Sequence, residues 1–175
     1  VKSSFSHSMP VNIALTKYIG KQDSDAFAGI NQALHPTLSY LLPELHTVVV
    51  LTYDPCLSKD IWLTKPDMPK LSHYEIMRFL SHLSYVKDQL GFEGCFTVES
   101  RNNFPRSAGL ASSSSSFAVG LLYALHILKG ENVSAGQLAE EASEIEINCL
   151  KHPIGKQDQY AASYGGLNCF NFKKN

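Results

Sequence analysis

The sequence predicts a mixed α/β domain. Three observations carry that expectation: β-branched and aromatic runs dominate the first part of the chain, apolar residues at three-and-four spacing mark later stretches, and a short alternating run comes last. In order the elements read β-β-β-α-β-α-α-β. With 175 residues, 44% hydrophobic and 18% charged, the chain has a globular balance and enough length to bury one sizeable core.

Residues 11–17 (VNIALTK) and 46–53 (HTVVVLTY) have the composition of strands, and 60–64 (DIWLT) makes a shorter third. Residues 1–9, VKSSFSHSM, read as a flexible segment ahead of the domain and carry no apolar signal core. Over residues 72–90, Ile76, Phe79, Leu80, Leu83, Val86 and Leu90 fall on one helical face, and Gly91 supplies the stop. Residues 94–101 (GCFTVESR) alternate as a strand that Asn102-Asn103-Phe104-Pro105 ends. Phe117, Leu121, Leu125 and Leu128 stripe the next helix. Another opens at Ser134, three residues before Gln137 in a capping-box pattern, with Leu138, Ala142, Ile145 and Cys149 as its buried face. Lys151-His152-Pro153 breaks it, residues 155–166 (GKQDQYAASYGG) form a short helical stretch, and 167–172 (LNCFNF) alternate as the last strand. The tetrapeptide GKQD occurs at 20–23 and 155–158, but the flanking residues differ, so it is no internal repeat.

A net charge of −1 with both signs interspersed argues against general nucleic-acid binding or a polybasic membrane surface. No apolar stretch approaches the about 20 residues that a membrane helix needs. Cys56, Cys95, Cys149 and Cys169 lack any C-x-x-C spacing, which fits free thiols in a cytoplasmic protein. The seven histidines show no paired spacing for zinc. Trp62 reads as a packing aromatic ahead of an adenine-side one. The serines at 112–116 lack the G-x-S-x-G frame and histidine partner of a hydrolase nucleophile.

Residues 108–120, AGLASSSSSFAVG, lie between a strand with its proline turn and an apolar-faced helix. A serine tract is commonly a solvated spacer. Here, unpaired N–H groups and the positive end of the helix dipole would converge behind a glycine turn. Gly109 lets the backbone approach a ligand, and small hydroxyl side chains can donate to phosphate oxygens or ligate magnesium. The residues alone leave two readings open: a phosphate cradle, or a helix start capped by Ser112 or Ser113. The stretch is neither G-x-x-x-x-G-K-[ST] nor G-x-G-x-x-G.

P-x-x-x-G-L-A-S-S after a strand resembles the phosphate loop of the GHMP kinase superfamily. NNFPRSAGLASSSSSFA, 102–118, is most similar to its diphosphomevalonate decarboxylase branch, as is PVNIALTKYIGKQD, 10–23. GKQDQYAASYGGLN, 155–168, is instead similar to heptose 7-phosphate kinases and other kinase members. Ala161 takes the place of the arginine in the decarboxylases' G-S-G-S-A-C-R-S, and Asp158 falls on the kinases' catalytic aspartate.

The resemblance implies an α+β fold like the second domain of ribosomal protein S5 over residues 10–175, with a left-handed β-α-β crossover. A second domain of comparable size, usual in the superfamily, has no counterpart in this sequence. The implied cofactors are ATP and Mg2+. Ala108, Gly109, Leu110, Ala111, Ser112 and Ser113 would hold the ATP phosphates, and Ser113 and Glu146 would place the metal. Lys17 would balance charge at the reacting centre, Tyr18 and Lys21 would face the substrate, and Asp158 would orient or deprotonate the acceptor hydroxyl. The activity so implied is a kinase, or its catalytic N-terminal half, passing the γ-phosphoryl group to a hydroxyl of a sugar-phosphate or mevalonate-type metabolite. Diphosphomevalonate decarboxylation and a non-catalytic nucleotide-binding fragment are the alternatives. Expected partners are ATP and a small phosphorylated metabolite, with a homodimer or a separate chain supplying the C-terminal domain.

Overall fold

The computed structural model describes residues 3–16, 36–66, 70–105, 115–150 and 154–172. Two long antiparallel strands form its spine. β1 (Ser3–Thr16) pairs with β2 (Thr37–Tyr53), from Ser3 opposite Tyr53 to Thr16 opposite Leu38. β3 (Ile61–Trp62), β4 (Phe96–Asn102) and β5 (Leu167–Phe170) complete the sheet, whose order is β1-β2-β4-β3 with β5 on the first part of β2. β3 runs parallel to β4, and all other pairings are antiparallel. The intervening helix α1 (His73–Leu90) therefore makes a β-α-β crossover, as an α+β domain of the expected type requires.

Two boundaries depart from the sequence reading. Residues 3–9, expected as a flexible segment, are the first half of β1. There Phe5, His7 and Met9 are covered while Ser4, Ser6 and Ser8 stay exposed, the period-two signature of a strand with serine on its solvent face. The serines lower the hydrophobicity enough to hide the alternation. β2 begins at Thr37 rather than His46, because Thr37 to Tyr40 find partners on both sides, in β1 and in β5.

The helices follow their capping signals. Ser72 and Glu75 close a reciprocal capping box on α1, and Gly91 ends that helix at φ 64°. α2 (Phe117–Lys129) is buried along most of its length, and α3 (Ala135–Glu144) opens on Ser134, whose hydroxyl accepts from the Gln137 backbone at 3.3 Å. The stripe that predicted one helix through Cys149 continues as a π-helical turn, Ile145–Cys149. α4 (Gln157–Tyr164) follows.

The core lies between α1, α2 and the sheet. Leu83 and Val86 of α1, Leu121 and Leu125 of α2, Val49 and Leu51 of β2, and Phe96 and Val98 of β4 pack into one cluster. Trp62 stacks on Phe79 at 5.1 Å and lies 5.9 Å from Phe117, so it is a packing aromatic. Helix and sheet touch most closely at Gly120, where an added Cβ would meet Met9 Cγ at 2.9 Å and Val49 Cγ2 at 3.4 Å. Ile13, Tyr40 and Leu167 lie side by side across β1, β2 and β5 as an exposed apolar row.

Candidate functional site

α4 carries the GKQD sequence and docks through polar side chains. Gln157 and Gln159, flanking Asp158, are both 0% exposed. Gln157 Nε2 donates to the Thr16 carbonyl at 3.1 Å and to Ser39 Oγ at 2.8 Å, pinning α4 to the end of β1, one residue before Lys17. Gln159 Nε2 donates to Glu146 Oε2 at 2.6 Å, which ties α4 to the π-helical turn. Asp158 stands between these two anchors in the first turn of α4, where the helix dipole favours a carboxylate.

Glu146 is only 1% exposed. An ionised carboxylate at that depth needs donors around it, so its placement is a built feature rather than a helix acid turned to solvent. The π turn accounts for its direction: widening the hydrogen-bond register by one residue re-aims the side chains that follow α3.

The outer side of α4 is held by charge. Lys156 Nζ lies 2.7 Å from Glu140 Oε1, and the Tyr160 hydroxyl donates to the other oxygen of Glu140. Burial pushes the Glu140 carboxyl upward, but the hydrogen bonds from Lys156 and Tyr160 together outweigh it and leave the group below its ordinary value. Tyr160 shifts the opposite way, first through burial and then through its bond to Glu140.

Two features were missed in the sequence. The sequence reading gave the serines beyond 113 no role of their own, yet Ser115 and Ser116 are both 0% exposed at the start of α2. Ser116 Oγ donates to the Pro10 carbonyl at 3.5 Å, beside the register shift at Pro10/Val11, so the helix start and the head of the N-I-A motif are joined there. Asn12 is 1% exposed with neither amide atom hydrogen-bonded. A buried amide left so costs about 1–3 kcal/mol, and the signal for it was its own type, a polar residue inside a strand motif. Of the predicted residues, Glu146 and Asp158 lie on two elements that the Gln159–Glu146 hydrogen bond joins. Lys17, Tyr18, Lys21 and Ala108, Gly109, Leu110, Ala111, Ser112 and Ser113 lie outside the described residues.

The family profile of the diphosphomevalonate decarboxylase-like N-terminal domain matches residues 9–145. The chain belongs to that family. The diphosphomevalonate decarboxylase of Eremothecium gossypii is 35% identical over 168 residues, 90% of this chain and 38% of that protein. A mevalonate diphosphate decarboxylase structure from Legionella pneumophila is 31% identical with a TM-score of 0.69, covering 97% of this chain and 51% of that one. The Enterococcus faecalis decarboxylase in complex with MVAPP, AMPPCP and magnesium is 25% identical with a TM-score of 0.64, covering 98% of this chain and 47% of that one. A D-glycero-D-manno-heptose 1-phosphate kinase from Bacteroides thetaiotaomicron, at 20% identity and TM-score 0.69 over 97% of this chain and 55% of that one, shares the fold. The diphosphomevalonate decarboxylase-like chain therefore spans from 38% to 55% of the length of these relatives. The family match ends at Ile145, one residue before Glu146.

Proposed function

We propose that this chain is the nucleotide- and substrate-binding part of an ATP-dependent decarboxylase acting on a diphosphorylated mevalonate-type acid. The observation that carries the proposal is the family match from β1 through α3, which takes in both decarboxylase-like motifs. In this reading the backbone from Ala108 to Ser113, with the Ser112 and Ser113 hydroxyls, holds the ATP phosphates behind the positive end of α2. Tyr18 and Lys21 receive the substrate diphosphate, and Lys17 balances charge where the phosphoryl group moves.

Buried Glu146, held by the Gln159 NH2 group, is a carboxylate that suits a hydrated magnesium ion, and Ser113 would be a second ligand. Magnesium, when bound, neutralises charge on the phosphates. Asp158, steadied by Gln157 and Gln159, orients the acceptor hydroxyl and accepts its proton. Phosphorylating a hydroxyl β to a carboxylate makes it a leaving group, so loss of carbon dioxide can follow from the same first step that a kinase performs. The remainder of the relatives' length, whether in the same polypeptide or another, would complete the cleft.

Asp158, with Ala161 in place of an arginine, favours a second reading in which the reaction stops at phosphoryl transfer to a sugar phosphate. Incubation with Mg·ATP and either mevalonate diphosphate or heptose phosphates, following ADP and carbon dioxide together, separates the two. Equal yields of ADP and carbon dioxide from mevalonate diphosphate are expected; ADP alone replaces the decarboxylase by the kinase. Nucleotide binding without turnover in calorimetry reduces the chain to a binding module. With turnover established, Asp158→Asn is expected to lower kcat at least 100-fold, within the range that proton transfer contributes, and a change of only a few-fold removes Asp158 from the mechanism.

A further inference from the structure

The unused carbonyl of Gln159 sets a problem. Its side chain is 0% exposed, its Nε2 donates to Glu146 Oε2 at 2.6 Å, and its Oε1 has no hydrogen-bond partner. The orientation of the amide follows from this bond: the NH2 end donates to Glu146, so the carbonyl faces away. A core whose only task was to pack α4 on the π turn would be served as well by hydrocarbon, without an orphaned acceptor. Gln157, two residues earlier, also leaves its Oε1 without a partner, but it has a different duty, since both of its described bonds go to β1 and β2 rather than to Glu146.

We infer that Gln159 is a positioning residue for divalent-cation binding: its NH2 group fixes the Glu146 carboxylate in one rotamer, and its carbonyl is kept for a donor in the cation's hydration shell. This rests on the reading of Glu146 as a metal-holding carboxylate. Magnesium sheds its waters reluctantly and binds through few protein oxygens, so a neighbouring acceptor that engages the water shell adds selectivity where a second carboxylate would add repulsion. Outer partners that orient a metal's ligand are typically worth about 10–100-fold in metal affinity. The arrangement also explains why Glu146 sits on a π turn, because an α-helical continuation would aim position 146 differently relative to α4.

The test is a titration of AMPPCP binding with MgCl2 by calorimetry, on the parent chain, Gln159→Met and Gln159→Asn, with AMPPCP binding in EDTA as the control. Methionine keeps the length and removes both polar atoms. Asparagine keeps the amide but withdraws it by one methylene. The expected result is a rise of about tenfold or more in the MgCl2 concentration giving half-maximal enhancement, with metal-free AMPPCP affinity unchanged within twofold. A merely structural residue would move both quantities or neither. An unchanged magnesium requirement in either folded variant overturns the inference, as does failure of both variants to fold, which makes Gln159 a packing residue. Absence of magnesium-dependent AMPPCP binding by the parent chain defeats instead the nucleotide-binding reading on which the inference rests.

Discussion

α2 and α4 are both buried against β1 and β2, but by opposite means. α2 presents Phe117, Leu121, Leu122 and Leu125, each at most 2% exposed, to Val49 and Leu51, and approaches the sheet closely at Gly120. α4 presents Gln157 and Gln159 and is held by directed bonds to Thr16, Ser39 and Glu146. Hydrocarbon burial scales with area and has no preferred direction, so α2 supplies stability. A buried amide contributes little net energy but tolerates only one geometry, so α4 supplies orientation. The contrast sets the proposed chemistry of Asp158 on the helix that is less well suited to stabilise the fold.

The largest effect expected from this division is in the dry interface. Leu121→Ala should lower unfolding stability by about 2–5 kcal/mol, read as a fall in the urea midpoint, while the fraction that remains folded binds AMPPCP as the parent does. Loss of nucleotide affinity in that folded fraction would show that α2 orients as well as stabilises. Next comes the polar interface. Gln157→Leu leaves the Thr16 carbonyl and Ser39 hydroxyl without their donor and should cost about 1–3 kcal/mol. Its turnover should fall by more than that stability loss accounts for, because Asp158 loses one of its two anchors. A variant with lowered midpoint but unchanged turnover would make the amide a packing group like the leucines.

The smallest effect sharpens the contrast at its exception, His7, a polar residue of β1 packed 4.5 Å from the ring of Tyr123 on α2. Burial lowers the His7 pKa from its ordinary value of 6.5. The fold thus favours neutral His7, and its contribution to stability is complete above about pH 6.5. That contribution is lost as pH falls through 6.5 toward the depressed folded-state value. Urea midpoints should therefore drop more between pH 7.5 and 5.5 in the parent than in His7→Phe; equal slopes would place the acid sensitivity elsewhere.

Legibility followed the same division. Periodicity marked α1 and α2, Gly91 and Ser134 marked a helix stop and a helix start, and the decarboxylase-like motifs agreed with the family that the profile matched. The serine-interrupted start of β1 was missed because its apolar signal is weak, although the alternation is present. The same pattern of residues that announced a helix through Cys149 could not announce a π turn, since a shift of one hydrogen-bond register leaves the stripe intact.

By itself, then, the sequence determined the order of most strands and helices and which family they assemble into. Those are local or pattern-borne properties, carried by spacing and residue type. Tertiary structure alone decided that Glu146 is buried, that Gln159 turns its NH2 group on it and leaves a carbonyl over, and that Ser115 and Ser116 are enclosed at the start of α2. These depend on which atoms far apart in the chain meet, and burial turns an ordinary glutamine or serine into a group with only one possible orientation.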